Sequence, residues 1–348
     1  MLALLMALAC RGDDPTRTRF TMSLIQPGLL ADLTPVSPIC QLPDNHWNVR
    51  VDGAPLDGAS ASIITGIRAM TTTNPGRLHP DCGGGYGIPY AVVSMSQPKI
   101  IVPFSEATES DAGAPGEAPG YPIPTGANIP NPNPYIEALG SSEGERHMLI
   151  LREDMMLFEM SYVTRTGDME FSAGYGAVFN LNTNDRRPLG YTSTDAAGLE
   201  VLPGLMRYDE VYGLDPIRHA LRFSIRKVNG YVEPARHTGS YDVGGYPCGM
   251  RMRLQASFDV EAYLTSKGLT GTHRAAMKKI LVCLKEYGCI VADRGGNMYF
   301  QGTLDTRWNN AILNPFFHGL NANNFEVVKR GWVPTTPIGT RKVNFTEQ

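Results

Sequence analysis

Basic charge is scarce and scattered. Lys and Arg make up 31 of 348 residues against 34 Asp and Glu, a net charge of −3. No stripe of Lys and Arg interleaves with aromatics, so a nucleic-acid backbone or an anionic membrane surface is excluded as the natural partner. Tryptophan is rare, with three in the chain. Sugar-stacking platforms, if present, must come from those three or from some of the 15 Tyr. The six cysteines, Cys10, Cys40, Cys82, Cys248, Cys283 and Cys289, form no C-x-x-C pair, which removes a zinc ribbon or a dithiol redox motif. No G-x-S-x-G elbow occurs, against serine hydrolase chemistry. Gly83-Gly-Gly-Tyr-Gly-Ile-Pro89 lacks the lysine and the strand–turn–helix setting of a phosphate-binding loop and reads as a plain loop. No apolar run is long enough for a membrane helix, and no internal repeat supports a propeller or solenoid.

What is abundant is Gly (37) and Pro (26). Pro cannot donate within a helix or a central strand and Gly marks turns, so the chain should consist of short strands and many loops. Apolar residues at 42% are enough for a substantial core. The start, Met1-Leu-Ala-Leu-Leu-Met-Ala-Leu-Ala-Cys10 followed by Arg11-Gly-Asp-Asp14, looks like the later part of an export signal, with a loose lipoprotein-type box at Cys10. A secreted or cell-envelope location is expected. Cys40 and Cys82 lie in Gly/Pro-rich segments and are a candidate disulfide.

Residues 1–44 read as this signal-like start plus an extended lead-in, 45–335 as one β-rich domain, and 336–348 as a tail. Strands are expected at 46–51, 62–67, 90–94, 99–104, 147–151, 156–162, 177–181, 219–225 and 249–256. Arg152-Glu-Asp154 should turn a hairpin. In 249–256, Met250, Met252 and Leu254 should face one way and Arg251, Arg253 and Gln255 the other. Residues 105–146, rich in Pro and Gly, are either a linker between two sheets or lobes or a loop shaping a cleft. One helix stands out over 272–287, with Ala276, Met277, Ile280, Leu281, Leu284 and Tyr287 on one face, Thr272 as cap and Gly288 as stop. Cys289–Ala292 and Asn297–Gln301 should form a hairpin across Arg294-Gly-Gly. The expected fold is mostly β, a sandwich or jelly-roll-like arrangement with that one packed helix.

The densest polar stretch runs from Glu159 to His237, much of it on a loop that Pro188, Gly190, Gly198, Pro203 and Gly204 keep irregular. Glycoside hydrolysis needs two carboxyl groups, a proton donor and a nucleophile or base. Glu159, Asp195 and Glu210 are the candidates, with His219 and His237 assisting. Arg207, Tyr208, Asp209, Arg218, Arg236 and Trp308 are candidate substrate contacts. A His or Tyr base with an Arg to neutralise a uronate would instead suit a polysaccharide lyase. Either carboxylate could equally serve as an internal fastener: Asp195 through an Asx turn, Asp209 through Arg207 or Arg218. No metal or cofactor is called for, though two His and a carboxylate leave a divalent ion open.

Several of these stretches carry a resemblance. Gly198-Leu-Glu-Val-Leu-Pro-Gly-Leu-Met-Arg-Tyr-Asp-Glu-Val211, Ile217-Arg-His-Ala-Leu-Arg222, Pro234-Ala-Arg-His237, Gly249-Met-Arg-Met-Arg-Leu-Gln-Ala256 and Tyr287-Gly-Cys-Ile-Val-Ala-Asp293 resemble a family of exported, functionally uncharacterised bacterial proteins. The likeness extends over roughly 45–330, with Leu157-Phe-Glu159 where the family has Leu-Tyr-Glu. It implies export, a β-rich fold and a shared site around Asp195–His237, and no particular reaction. Arg294 departs from the family's Asn at that turn. The expected function is an exported carbohydrate-active protein, a glycoside hydrolase or lyase acting on a polysaccharide or oligosaccharide in a β-sandwich cleft. The alternative is a non-catalytic binding or structural envelope protein.

Overall fold

A computed structural model describes residues 38–83, 86–125, 133–137 and 144–332. The signal-like start with Cys10, most of the lead-in and the 336–348 tail lie outside the described residues. The strands are β1 (His79–Asp81), β2 (Tyr90–Val93), β3 (Met148–Arg152), β4 (Met156–Ser161), β5 (Thr164–Arg165), β6 (Phe171–Ser172), β7 (Tyr175–Asn180), β8 (Leu221–Ile225), β9 (Val228–Tyr231), β10 (Tyr246–Cys248), β11 (Arg251–Leu254), β12 (Cys289–Arg294), β13 (Tyr299–Gln301) and β14 (Phe325–Val327). The helices are α1 (Ser60–Ala69), α2 (Tyr208–Val211), α3 (Val260–Ser266), α4 (Gly271–Glu286) and α5 (Asn310–His318). The protein is mostly β, with its strands in several sheets and few helices.

Four strands form one sheet in the order β2-β3-β4-β7, with β2 and β3 parallel and the rest antiparallel. The expected 152–154 hairpin turn joins β3 to β4, fastened by Arg152 bonding both Asp154 oxygens at 2.8 Å. Met148-Leu-Ile-Leu151 is apolar at every position because both faces are covered. Ile100, Val102, Tyr121 and Ile123 pack on the face of Ile150 and Phe158. Val201, Leu202 and Leu205 pack on the face of Leu149 and Leu157. The long 105–146 segment is therefore no linker between sheets. It is the crossover between the adjacent parallel strands β2 and β3, and its described apolar residues cover one face of their sheet.

The second sheet has six strands in the order β1-β13-β8-β12-β11-β14. In β8, Leu221, Phe223 and Ile225 belong to a core shared with Ile63 and Ile67 of α1, Ile280 and Leu284 of α4, and Phe316 and Phe317 of α5. Phe223 stacks on Phe300 of β13 at 5.3 Å, an aromatic pair worth about 0.5–1.5 kcal/mol beyond its buried area. Period-two alternation turns Arg222 and Ser224 to the opposite face. One face of this sheet is thus apolar and helix-covered, and the other is polar.

Several expectations need correction. Residues 62–67 are helical in α1, not a strand: Ile63, Ile64 and Ile67 share one buried helical face, and that packing outweighs their β preference. Among the described residues five α-helices replace the single one expected. The long helix begins at Gly271 with Thr270, not Thr272, at its N-cap, and Gly288 closes it at φ 69° by donating to Cys283 O at 3.0 Å. In residues 46–51 Trp47, Val49 and Val51 are buried as expected, but Asn48 is buried with them and the segment forms no strand. Arg251 bonds the carbonyls of His46 (2.9 Å) and Val49 (2.7 Å), and Arg253 those of Val51 and Ala54. Those two arginines, on the side opposite Met252 and Leu254 as expected, satisfy backbone that a partner strand would otherwise have taken. Residues 99–104 make only isolated bridges, Ile100 with Tyr121 and Phe104 with Ala173. The 289–292 and 297–301 segments are not hairpin partners, because β8 lies between them, parallel to β12 and antiparallel to β13. Cys40 and Cys82 are both free and buried: Cys40 donates to Leu181 O at 3.5 Å and sits apart from the core that holds Cys82. Among the described residues no helix is long and apolar enough to cross a membrane.

Candidate functional site

The polar loop singled out in the sequence lies between the two sheets and ties them together. Glu159, in the middle of β4, is fully buried and accepts from the N–H groups of Val201 (2.9 Å) and Leu202 (3.0 Å) and from Thr194 Oγ1 (3.2 Å). Asp195 accepts from Ala197 N (2.9 Å) and Leu199 N (3.2 Å), closing the loop on itself, and from Arg222 Nη2 (3.2 Å) in β8. One short loop therefore grips the four-stranded sheet through Glu159 and the six-stranded sheet through Arg222. Burial pushes Glu159 up to about 7, against the bonds from Leu202 and Val201. It pushes Asp195 up to about 6, against Arg222.

Glu210, in α2, forms a second closed group. Its oxygens meet Arg207 Nη2 at 2.6 Å and His219 Nε2 at 3.2 Å, while His219 Nδ1 meets Ala220 O at 2.9 Å. Burial alone would raise this carboxyl, but Arg207 and His219 prevail and hold it well below its usual range. All three side chains are buried. His237 turns Nδ1 to Ala196 O at 3.0 Å, beside the joining loop, and Arg236 pairs with Glu233 at 3.2 Å. Arg218 is exposed. Tyr208, Asp209 and Trp308 do come together: Arg307 lies over the Tyr208 ring at 4.2 Å, bonds Asp209 at 2.9 and 3.1 Å, and the Trp308 ring meets Tyr208 edge-on at 5.1 Å. The structure thus splits the expected site into a joining loop, a buried triad and an aromatic group that runs from the half-buried Tyr208 to the buried Trp308.

The polar face of the six-stranded sheet holds a constellation the sequence reading missed. The strand register sets His79, Tyr299, Ser224 and Asp293 in one row across β1, β13, β8 and β12. In the next row Asp81 faces Gln301, and the same register puts Gln301 beside Arg222. The segment leading into β3 adds Glu137, Glu145 and His147. His147 Nδ1 meets Glu137 at 2.8 Å and its Nε2 meets Thr194 O at 2.8 Å, with Glu145 at 3.5 Å. Arg222 is fully buried at the centre, within electrostatic reach of Asp81, Glu137, His147, Asp195 and Asp293. Its Nη2 is spent on Asp195; its Nε and Nη1 have no hydrogen-bond partner among the described residues. An orphaned guanidinium edge this deep is costly and uncommon.

The carboxyls around it diverge. Burial pushes Asp81 up to about 6, aided by Glu137 and opposed by Arg222. Burial likewise pushes Asp293 up to about 6, aided by Glu145. Burial would also raise Glu137, but its bond to His147 holds it below its ordinary value. Burial opposes the charge on His147, yet Glu137 raises it to about 9. Asp81, Glu137 and Glu145 are only partly buried, so the cluster reaches the surface there. Among the described residues no group of His, Cys, Asp and Glu is arranged to hold a metal ion.

These shifts fix how stability should follow pH. Asp81, Asp195 and Asp293 are raised above their unfolded values, so their contribution is full below about pH 4 and lost as pH rises through about 6. His147 is raised as well, so its contribution is full below about pH 6.5 and lost as pH rises through about 9. Thermal melts should show a lower Tm at pH 9 than at pH 5. A midpoint that rises with pH over that range would contradict the charge states assigned here.

One signal in the sequence could have pointed to this face. Arg222 and Ser224 alternate with Leu221, Phe223 and Ile225, which marks a polar sheet face, and Asp293 ends the apolar run Cys289–Ala292. Comparison of the chain with protein-family models, with curated proteins and with solved structures finds no match in any of the three.

Proposed function

We propose that this chain is an exported carbohydrate-active protein, a glycoside hydrolase whose acid and base are Asp81 and Glu137. The observation that carries the reading is that these two carboxyls, within electrostatic reach of each other and of a buried arginine with two nitrogens unpartnered among the described residues, are pushed apart in proton affinity. Groups so separated are what acid–base chemistry near neutrality requires. Asp81 would give its proton to the leaving glycosidic oxygen. Glu137, ionised, would attack the anomeric carbon or take a proton from the attacking water. The expected acid–base groups Glu159, Asp195 and Glu210 serve instead as fasteners in this reading. His219 and Arg207 are already committed to Glu210, which favours hydrolysis over a lyase reaction.

The cleft would lie between the polar sheet face and the joining loop, and a sandwich-like relation of the two sheets belongs to the same reading. So do export and kinship with the bacterial family that the sequence motifs resemble. The second reading, a non-catalytic envelope protein, is favoured by the closed pairing of Glu159, Asp195 and Glu210. The test is the purified protein at about pH 5 on plant, algal and microbial polysaccharides, with and without divalent metal. New reducing ends without ultraviolet absorbance support the hydrolase. Absorbance from unsaturated sugars would make it a lyase. No product on any glycan under either condition would leave the non-catalytic reading.

A further inference from the structure

The four-stranded sheet carries an open groove of about 700 Å³ where β4 ends and β7 begins. Phe104, Glu106, Tyr162, Ser172, Gly174 and Tyr175 line it. Tyr162 is 41% exposed. Its ring and that of Tyr175 stand 6.4 Å apart, tilted by 51°. The backbone of Tyr162 is left-handed, at φ 56°, a conformation unusual for an aromatic residue. Its N–H donates to Glu145 O, and Val163 N donates to Arg146 O at 3.2 Å. Gly174 is needed beneath it, because a Cβ there would stand 2.8 Å from the Tyr162 ring. The Tyr162 N–H bond to Glu145 O, and the electrostatic reach of its hydroxyl to Glu145 and Asp293, set this groove beside the carboxyl cluster around Arg222. A hydroxyl-rich ring ligand fits such a lining: its C–H faces pack on tyrosine, and its hydroxyls meet Ser172 and Glu106.

We propose that this groove is a sugar-binding subsite, holding the part of a glycan chain that extends beyond the residue being cleaved, with Tyr162 and Tyr175 as its platforms. The proposal rests on the glycan reading above and deepens it, because it predicts a preference for long chains. The test uses the full chain with dimers and hexamers of β-linked glucose, xylose and N-acetylglucosamine. The variants are Tyr162→Asn, which removes the ring while tolerating the left-handed backbone, and Tyr175→Ala. The wild type should favour hexamer over dimer in kcat/KM and in Kd, and each variant should lower that preference by about threefold to tenfold. If both variants keep the wild-type preference while Asp81→Asn stops cleavage, the groove is not a subsite and the hydrolase reading stands. If the wild type cuts a glycan of the wider panel but shows no preference for longer chains, the subsite proposal fails and the hydrolase reading stands; if it cuts no glycan at all, both fail together.

Discussion

Asp81→Asn should cut the turnover of a susceptible glycan by about 10²- to 10⁴-fold, the usual contribution of a positioned general acid. The fold should survive the change. Burial already penalises the charged form of Asp81, so a neutral amide of the same shape removes a strain rather than a bond the fold relies on. The wild type should lose activity as pH rises through about 6, where Asp81 gives up its proton, and the residual activity of the variant should lack that limb. Glu137→Gln is the less clean partner experiment, because it also takes the anion from His147. Steady-state rates across pH, read beside the thermal midpoint, check the assignment. Full turnover in Asp81→Asn would remove this residue as the acid.

Glu210→Ala should behave in the opposite way, lowering stability without acting on chemistry directly. It takes from a buried pocket the carboxylate that Arg207 and His219 both bond, a loss of about 3–5 kcal/mol. For a chain of this size that is a fall in Tm of roughly 5–10 °C. Glu159→Ala should cost a similar amount, since it orphans the N–H groups of Val201 and Leu202 where water cannot replace them. Chemical denaturation at pH 7 and rates measured on the folded fraction separate the two effects. Wild-type stability in both variants would mean that these carboxylates are not fasteners and would return them to the list of catalytic groups.

Legibility in the sequence followed the range of the interactions. The β3–β4 hairpin and α4 were readable because their signals are local: a polar turn between apolar runs, and a helical stripe. Residues 62–67 misled because isoleucines at helical spacing also look like a strand, and only packing against the six-stranded sheet decides between the two. The β12–β13 pairing misled because nothing near Arg294 announces that β8 comes between. The same reason hid the carboxyl cluster. Asp81, Arg222 and Asp293 come from three separate strands and meet through sheet register, and Glu137 and His147 reach them from the segment leading into the other sheet. The loop around Asp195, by contrast, drew notice for being dense in polar groups. Polar density marked a place where backbone and charge had to be satisfied internally, and density alone does not separate a fastener from a catalyst.

The joining loop also works as a ruler. Asp195 fixes one end to Arg222, Val201 and Leu202 fix the other to Glu159, and between them Ala197 N reaches Ala292 O at 3.0 Å. Adding or removing a single residue between Asp195 and Val201 would leave one of the two anchorages short. Length variation should therefore be forbidden in this stretch even where side-chain changes are allowed, while the crossover between β2 and β3 can grow or shrink at its exposed turns. A library of one-residue insertions would draw that boundary directly, as a gap in tolerated positions running from Asp195 to Leu202.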